Sequence, residues 1–164
     1  MSVLNDIRTA AIAAVTTQVT STVSAVTADV PVAVSPGEEF TFSVTAANTG
    51  ADAIGLANIT YHLTVPSFPA ILQLKVPASP PARASNDPAA ATLAVGSFVT
   101  SMFLFPTDNK LTVGDSDTIS GLKGKALALG NANISFHIHA EPDLDFLFPK
   151  GTGGTNGTRN VVVV

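Results

Sequence analysis

Residues 36–50, PGEEFTFSVTAANTG, decide the fold class of this chain. The large apolar side chains Phe40, Phe42 and Val44 fall on one parity, and hydroxyl side chains such as Thr41 fall on the other. A Pro-Gly turn precedes the run and an Asn-Thr-Gly turn follows it. Strict alternation between two turns predicts a β-strand with one face in a core and the other in water.

The same alternation recurs along the chain, most clearly in ANITYHLTV (57–65) and NISFHIHA (133–140). LAVGSFVTSMFLF (93–105) is apolar on both parities, which predicts one strand covered on both faces. Further candidate strands are PAILQLKVP (69–77), KLTVGDSDTISGL (110–122) and LDFLF (144–148). About seven or eight strands with turns between them are typical of an all-β sandwich, either immunoglobulin-like or jelly-roll. We expect its core to contain Phe40, Phe42, Tyr61, Leu63, Phe136 and Ile138.

Composition excludes several classes of function. Hydrophobic residues make up 46% of the chain but charged residues only 12%, so Thr, Ser, Asn and Ala must cover the surface, or other subunits must hide part of it. The net charge of −4 gives no basic footprint for nucleic acid. Without Cys, neither a disulfide framework nor a thiolate metal site can form.

The ends of the chain differ from its middle. We divide the sequence into an N-terminal arm over residues 1–30, a β-sandwich domain over 31–149, and a Gly-rich linker with a terminal strand over 150–164. The arm carries an apolar stripe, including Leu4 and Ile7, that predicts an amphipathic helix. The Thr and Val residues in its second half favour a strand instead.

The last four residues of the chain, 161–164, are all valine. Apolar strand formers at a free terminus should pair with a sheet, either that of their own chain or that of a neighbour. We therefore expect a homo-oligomer held by strand exchange or by packing of the arms.

Membrane insertion is not expected, because no stretch approaches the about 20 continuous apolar residues of a membrane span. A signal peptide is disfavoured as well, since Asp6 offsets the early positive charge of Arg8 and Thr16 interrupts the apolar run. We expect the protein at the surface of a virion, or at an extracellular or cell-surface location.

His137, His139 and Glu141 share one parity of a predicted strand, and His62 lies on the polar parity of another. Two histidines spaced in this way can hold a transition metal when a neighbouring strand supplies a third ligand. The alternative is that these residues form a polar solvent face of the sandwich, and the lack of an evident third ligand favours it. We therefore expect no metal and no cofactor.

Aspartates cluster in two predicted turns, and hard cations such as Ca²⁺ take oxygen ligands in such loops. Asp is also a common turn residue because it hydrogen-bonds the local backbone, and no EF-hand spacing is present. We interpret the aspartates as turn residues. They are Asp108, Asp115, Asp117, Asp143 and Asp145.

Motifs of catalysis are missing from the sequence. There is no Cys nucleophile, no Gly-x-Ser-x-Gly elbow and no phosphate-binding loop that ends in Gly-Lys-Ser/Thr. The chain has no Trp and one Tyr, so aromatic rings on which sugars could stack are scarce. The missing motifs predict that the protein has no catalytic residues and is not an enzyme, and the scarcity of Trp and Tyr disfavours a carbohydrate-binding face.

The stretch from Pro31 to Pro66 resembles the immunoglobulin-like repeat domains of bacterial and archaeal surface proteins, of the CARDB and related conserved-repeat kind. The residues that carry the resemblance are 35–66, SPGEEFTFSVTAANTGADAIGLANITYHLTVP. In that family a Pro-Gly-Glu turn leads a strand that ends in an Asn-Thr-Gly turn, and the next strand ends near Pro. LTVGDSDTISGL (111–122) and NANISFHIHAEPD (131–143) resemble its later strand pair. The resemblance implies an immunoglobulin-like sandwich with a structural or adhesive role and no catalytic residues.

We therefore predict a non-enzymatic structural protein that self-assembles through its arms into a virion or cell-surface structure. It would be a capsid decoration, coat-associated or filament subunit, with copies of itself and a capsid or surface-layer protein as partners. The alternative is a carbohydrate- or ligand-binding adhesion module of a cell-surface protein. Size in solution separates the two, because a building block forms a defined oligomer.

Overall fold

A computed structural model describes residues 3–49, 56–80, 82–83, 92–106, 110–142 and 153–164 of the chain. These residues contain one helix and eleven strands. In chain order they are α1 (Val3–Thr22), β1 (Val23–Asp29), β2 (Ala33–Val34), β3 (Glu39–Asn48), β4 (Leu56–Thr64), β5 (Leu72–Lys75), β6 (Ala82–Arg83), β7 (Phe98–Val99), β8 (Ser101–Leu104), β9 (Ser116–Ala126), β10 (Gly130–Pro142) and β11 (Gly153–Val163).

The strands of the described residues form two sheets. The five-stranded sheet has the order β1-β3-β9-β5-β7, and the six-stranded sheet has the order β2-β11-β10-β4-β8-β6. Neighbouring strands run antiparallel, except that β2 and β11 are parallel. The architecture is an all-β sandwich, which confirms the predicted fold class.

The core lies between the two sheets, and all six residues that the alternation selected are buried in it: Phe40, Phe42, Tyr61, Leu63, Phe136 and Ile138. One polar link joins the sheets through this core. The hydroxyl of Tyr61 on β4 donates to the carboxylate of Asp117 on β9 at 2.6 Å. Burial, and then the hydrogen bond to this carboxylate, raise the pKa of Tyr61, so the hydroxyl remains a donor.

The N-terminal segment is a helix followed by a strand. α1 ends at Thr22, and β1 begins at once and pairs with β3 at the edge of the five-stranded sheet. Val and Thr, whose branched Cβ atoms favour a strand over a helix, are already frequent from Val15, well before α1 ends at Thr22. This preference therefore does not by itself set the boundary between α1 and β1. The predicted helix is present, whereas residues 23–29 of the predicted arm form a strand of the sandwich.

The C-terminal strand lies inside the six-stranded sheet. β11 pairs with β10 from Gly153 to Val163 and with β2 near its end. Val161 and Val163 are buried in the core, whereas Val164 is exposed. The terminal valines therefore pair with their own chain. They were expected to reach a neighbouring subunit, but β10 and β2 already occupy both edges of β11.

The segment 93–105, predicted as one strand, is divided between the two sheets. β7 pairs with β5 in the five-stranded sheet, and β8 pairs with β4 in the six-stranded sheet. The prediction of a single strand is therefore wrong. The other part of the prediction, that both faces are covered, is confirmed for β8. Phe103 points away from the core, and yet it is only 5% exposed. The predicted strand at 144–148 lies outside the described residues.

Candidate functional site

The three histidines of the chain lie together on the outer face of the six-stranded sheet. Strand register brings them there: His137 of β10 is directly opposite His62 of β4, and His139 follows two residues along β10. Their neighbours Phe136 and Ile138 are buried in the core, so the imidazoles point away from it.

The row of side chains around the histidines crosses four strands. From β11 to β8 the directly opposed residues are Asn156, His137, His62 and Phe103, which we call the histidine row. His62 stacks on Phe103 with ring centroids 4.0 Å apart and ring planes 8° apart. Nδ1 of His137 contacts Oδ1 of Asn156, and the His137 ring meets His139 edge-on with centroids 4.1 Å apart. These contacts hold the rings as a platform on the sheet.

A second row, of hydroxyl side chains, runs beside the first. From β11 to β8 it contains Thr158, Ser135, Thr64 and Ser101, and we call it the hydroxyl row. Nε2 of His62 lies 2.9 Å from Oγ of Ser101 and joins the two rows. Residues of both rows line a shallow groove with a volume of about 330 Å³.

The environment of His62 and His139 favours the neutral form of their imidazoles. Burial lowers the pKa of His62 and of His139 below the ordinary value of 6.5, and the nearby His137 lowers both further. A neutral imidazole carries one donor and one acceptor nitrogen. The platform can therefore both donate and accept hydrogen bonds near pH 7.

The metal hypothesis depended on a third ligand beside the histidines. In the part of the chain that the structure describes, no group of three or more His, Asp or Glu side chains is arranged to hold a metal ion. Glu141, the remaining candidate ligand, pairs by its backbone with Ala57 beyond a shift in the β4–β10 register, and its side chain lies outside the described part. That these histidines form a polar face without a metal stays a prediction.

Ser101 and His62 lie at the distance of a nucleophile and its general base. Acyl transfer also needs N–H groups aimed at the developing oxyanion. Both residues lie inside the sheet, where backbone N–H groups bond to the neighbouring strands. We interpret the contact as a hydrogen bond that orients the imidazole.

Two of the aspartates predicted in turns lie in described residues. Asp115 precedes β9, whereas Asp117 lies on β9 itself, so its assignment to a turn is wrong. Asp115 accepts a hydrogen bond from the hydroxyl of Thr112 and Asp117 accepts one from Tyr61, so each carboxylate is explained by a contact other than a cation. The other three lie outside the described residues: Asp108, Asp143 and Asp145.

Sequence reasoning found the histidines but not the residues around them. Ser101 and Phe103 reach His62 only through the pairing of β4 with β8. Asn156 reaches His137 through the pairing of β10 with β11, and it stands in a Gly-rich stretch that predicted a linker. Local alternation does not fix which distant strands pair, so no sequence signal could have identified these partners.

The exposed surface of α1 is a second candidate site. Its described side chains, at residues 3–11 and 13, are exposed, and Leu4 and Ile7 are 74% and 61% exposed. Leu4, Ile7 and Ala11 lie on one side of the helix because they are three or four residues apart. The helix therefore presents an apolar stripe to solvent.

Among the described residues, no helix combines the length and the apolarity that a membrane span requires.

No protein-family model and no curated protein matches this sequence. Among solved structures, the chain is similar to AvmM, which catalyses macrocyclization in alchivemycin A biosynthesis. The identity is 14%, the TM-score is 0.51, and the match covers 84% of this chain and 88% of AvmM. A cohesin module from a family 33 glycoside hydrolase of Clostridium perfringens is 10% identical, with a TM-score of 0.49 and coverage of 87% of this chain and 99% of that one. At this level of identity, the likeness to AvmM concerns the fold alone.

Proposed function

We propose that this chain is a non-enzymatic structural protein that associates with copies of itself through α1, as a subunit of a virion or cell-surface structure. The observation that carries the proposal is the stripe of Leu4, Ile7 and Ala11, which α1 exposes to solvent. The core of the sandwich is built from the two sheets without these side chains.

Association of the stripe has an energetic basis. Burying one Leu or Ile side chain contributes about 1.5–3 kcal/mol. Most of the stability of helices in proteins comes from packing of their apolar face, so packing against another helix would also stabilise α1 itself. The small side chains of Ala10 and Ala11 allow the axes of two helices to approach closely.

A second copy of the same helix fits the stripe. Asp6 and Arg8 are the only charged residues of α1, and their charges cancel, so two copies of the helix do not repel each other. Identical surfaces that pair around a twofold axis form closed dimers. A chain with only 12% charged residues also agrees with a surface that other subunits partly cover.

Only part of the predicted arms is free to take part in assembly. β1 and β11 are strands of the two sheets and serve the fold of their own chain. α1 is the part of the predicted arms that belongs to neither sheet. We therefore assign assembly to α1 and not to exchange of the C-terminal strand.

Light scattering after size exclusion tests this proposal. We expect the full chain to have a mass that is a small multiple of 16.7 kDa. The double variant Leu4→Lys/Ile7→Lys should have the single-chain mass with unchanged thermal unfolding, because charge on the stripe opposes its burial.

The matched control is Thr9→Lys, on the side of α1 away from the stripe, which should keep the wild-type mass. A full chain that is monomeric at high concentration would contradict the proposal. So would a stripe variant that keeps the wild-type mass.

The groove between the histidine row and the hydroxyl row favours a second candidate function, binding of a hydroxylated ligand such as a carbohydrate. Its lining offers the ring nitrogens of His62 and His137, hydroxyls and the amide of Asn156, which can form hydrogen bonds with sugar hydroxyls. The imidazole rings take the place of the Trp rings that the sequence lacks, and the buried Phe103 ring supports that of His62 from below.

Titration of isotope-labelled protein with neutral oligosaccharides tests this second function by NMR. Binding should shift amide signals of the two rows, and His137→Ala with Asn156→Ala should abolish the shifts. Thr41→Ala, on the other sheet, is the control. If the amide signals of both rows stay unshifted, carbohydrate binding in this groove is contradicted.

A further inference from the structure

The outer face of the five-stranded sheet carries a cluster of lysines. Lys123 and Lys125 lie two residues apart on β9, and Lys75 of β5 is directly opposite Lys123. These residues, which we call the lysine face, supply three of the eight Lys and Arg residues in a chain of net charge −4. Much of the positive charge of this acidic protein therefore lies on one face of the sandwich.

A β-bulge in β9 turns these lysines outward. Relative to β3, β9 has an extra residue between Ile119 and Leu122, which are both buried. Gly121, with φ of 72°, supplies the left-handed backbone that such a bulge uses. Lys123 and Lys125 share the parity of Ile119, and the extra residue directs them to solvent instead of the core.

Two neighbouring side chains, Glu39 and Phe98, contact the ammonium groups of Lys75 and Lys125. Nζ of Lys75 donates to the two carboxylate oxygens of Glu39 at 2.9 Å and 3.1 Å. The ring centroid of Phe98 lies 5.5 Å from Nζ of Lys75 and 5.2 Å from Nζ of Lys125. In the described part of the chain, Glu39 is the one carboxylate in ion-pair contact with these lysines. Two positive charges on this face therefore remain unbalanced.

An open groove lies beside the paired lysines. Its volume is about 430 Å³, and both Lys75 and Lys123 line it, together with Ser79 and Gly121. The position of Gly121 is open, because a Cβ built there meets no atom within 4 Å. The groove can therefore admit a polyatomic group to the space next to both ammonium groups.

Like charges directly opposite each other on neighbouring strands destabilise a sheet. The pairing of Lys75 with Lys123 should therefore lower the stability of the free protein. An anion between them would offset this repulsion and accept hydrogen bonds from both ammonium groups. We propose that the lysine face binds an oxoanion, a phosphate or sulfate group, in the groove between Lys75 and Lys123. This site is separate from the helix proposed for assembly.

Thermal unfolding and binding titrations at constant ionic strength test the proposal, with NaCl compensating for each added salt. One arm uses sodium phosphate and the other uses dextran sulfate. We expect a rise in the unfolding temperature of the full chain with added anion, by mass action. Protection by both probes supports a site for the free ion. Protection by dextran sulfate alone supports a site for a sulfated polymer.

Three variants locate the site. Lys75→Gln/Lys123→Gln should weaken binding at least about tenfold, because two charge-assisted hydrogen bonds are lost. Glu39→Gln should strengthen binding, because Glu39 competes with the anion for Lys75. Lys110→Gln, an exposed charge outside the lysine face, is the control and should bind as the wild type does.

The unfolding temperature without anion shows whether a variant binds less because the site is lost or because the protein no longer folds. Without anion, Lys123→Gln should raise the unfolding temperature by about 1–3 °C, because it removes the like-charge pair. The proposal is overturned if neither probe protects the wild type, or if the Lys75→Gln/Lys123→Gln variant binds as the wild type does. It is also overturned if Lys110→Gln loses as much affinity as that variant, or if Glu39→Gln fails to strengthen binding.

Discussion

Gly124 of β9 lies against the ring of Phe40 in the core. A Cβ at this position would lie 2.3 Å from Cζ of Phe40, closer than two carbon atoms can approach. We predict that Gly124→Ala destabilises the protein by about 1–3 kcal/mol, because the Phe40 ring or the backbone must move. Denaturant unfolding measures this. The double variant Gly124→Ala/Phe40→Leu should recover part of the loss, and a fully additive double variant would show that the two residues do not clash.

Phe42 and Phe136 test the prediction that alternate residues of β3 and β10 face the core. Both are 2% exposed and lie in the core between the sheets. We predict that truncating either one to Ala lowers the free energy of unfolding by about 3–5 kcal/mol, because a cavity remains where the ring was. Thr41→Ala, on the solvent side of β3, should change it by less than about 0.5 kcal/mol. Small losses at both phenylalanines would mean that the assigned parity is wrong.

The histidines should make stability depend on pH. The pKa values of His62 and His139 are lowered in the folded state, so above about pH 7.5 these groups are neutral in both states and contribute nothing. As the pH falls through about 6.5, the unfolded chain takes up protons first, and the folded state loses stability. We predict a fall in unfolding temperature between about pH 7.5 and pH 5 that is reduced in His62→Gln/His139→Gln. An unchanged pH profile in this double variant would contradict the assignment.

At the scale of secondary-structure elements, β11 is part of the fold and not an appendage. Deleting residues 160–164 removes the buried Val161 and Val163 and the pairing with β2. We predict a loss of about 3–6 kcal/mol from the two valines alone, a large part of the typical stability of a domain, so unfolding by denaturant should move to a clearly lower midpoint. Val164→Ala, at an exposed position, should be neutral within about 0.5 kcal/mol. A truncated chain that unfolds like the full one would show that β11 does not belong to this sheet.

The elements also show which information the sequence carries. Alternation identified β3, β4 and β10, because one face of each packs on the core and the other meets water. Residues 93–105 are divided between two sheets, and β11 lies between β2 and β10. Both features depend on which distant strands pair, and local sequence patterns do not encode that choice. The same reason explains the site: the histidines were evident, whereas Ser101 and Asn156 join them only through register.

For the molecule as a whole, the two outer faces of the sandwich differ in chemistry. One face carries neutral imidazoles and hydroxyls, and the other carries the lysine face. α1 adds an apolar stripe that neither sheet incorporates. The resemblance of residues 35–66 to immunoglobulin-like repeats of surface proteins stays a prediction, since the likeness to AvmM concerns the fold alone. The central claim is that copies of the chain meet through the stripe of α1.

Cysteine cross-linking tests this claim most directly, because the natural chain has no Cys and each introduced thiol is unique. Single variants Leu4→Cys and Ile7→Cys place a thiol on the stripe, and Thr9→Cys places one on the opposite side of α1. Two thiols form a disulfide when their Cα atoms come within about 7 Å of each other. Under mild oxidation in dilute solution, we predict rapid dimer formation by at least one stripe variant and little by Thr9→Cys. Cross-linking that is equally slow at all three positions, or fastest at position 9, would contradict the account.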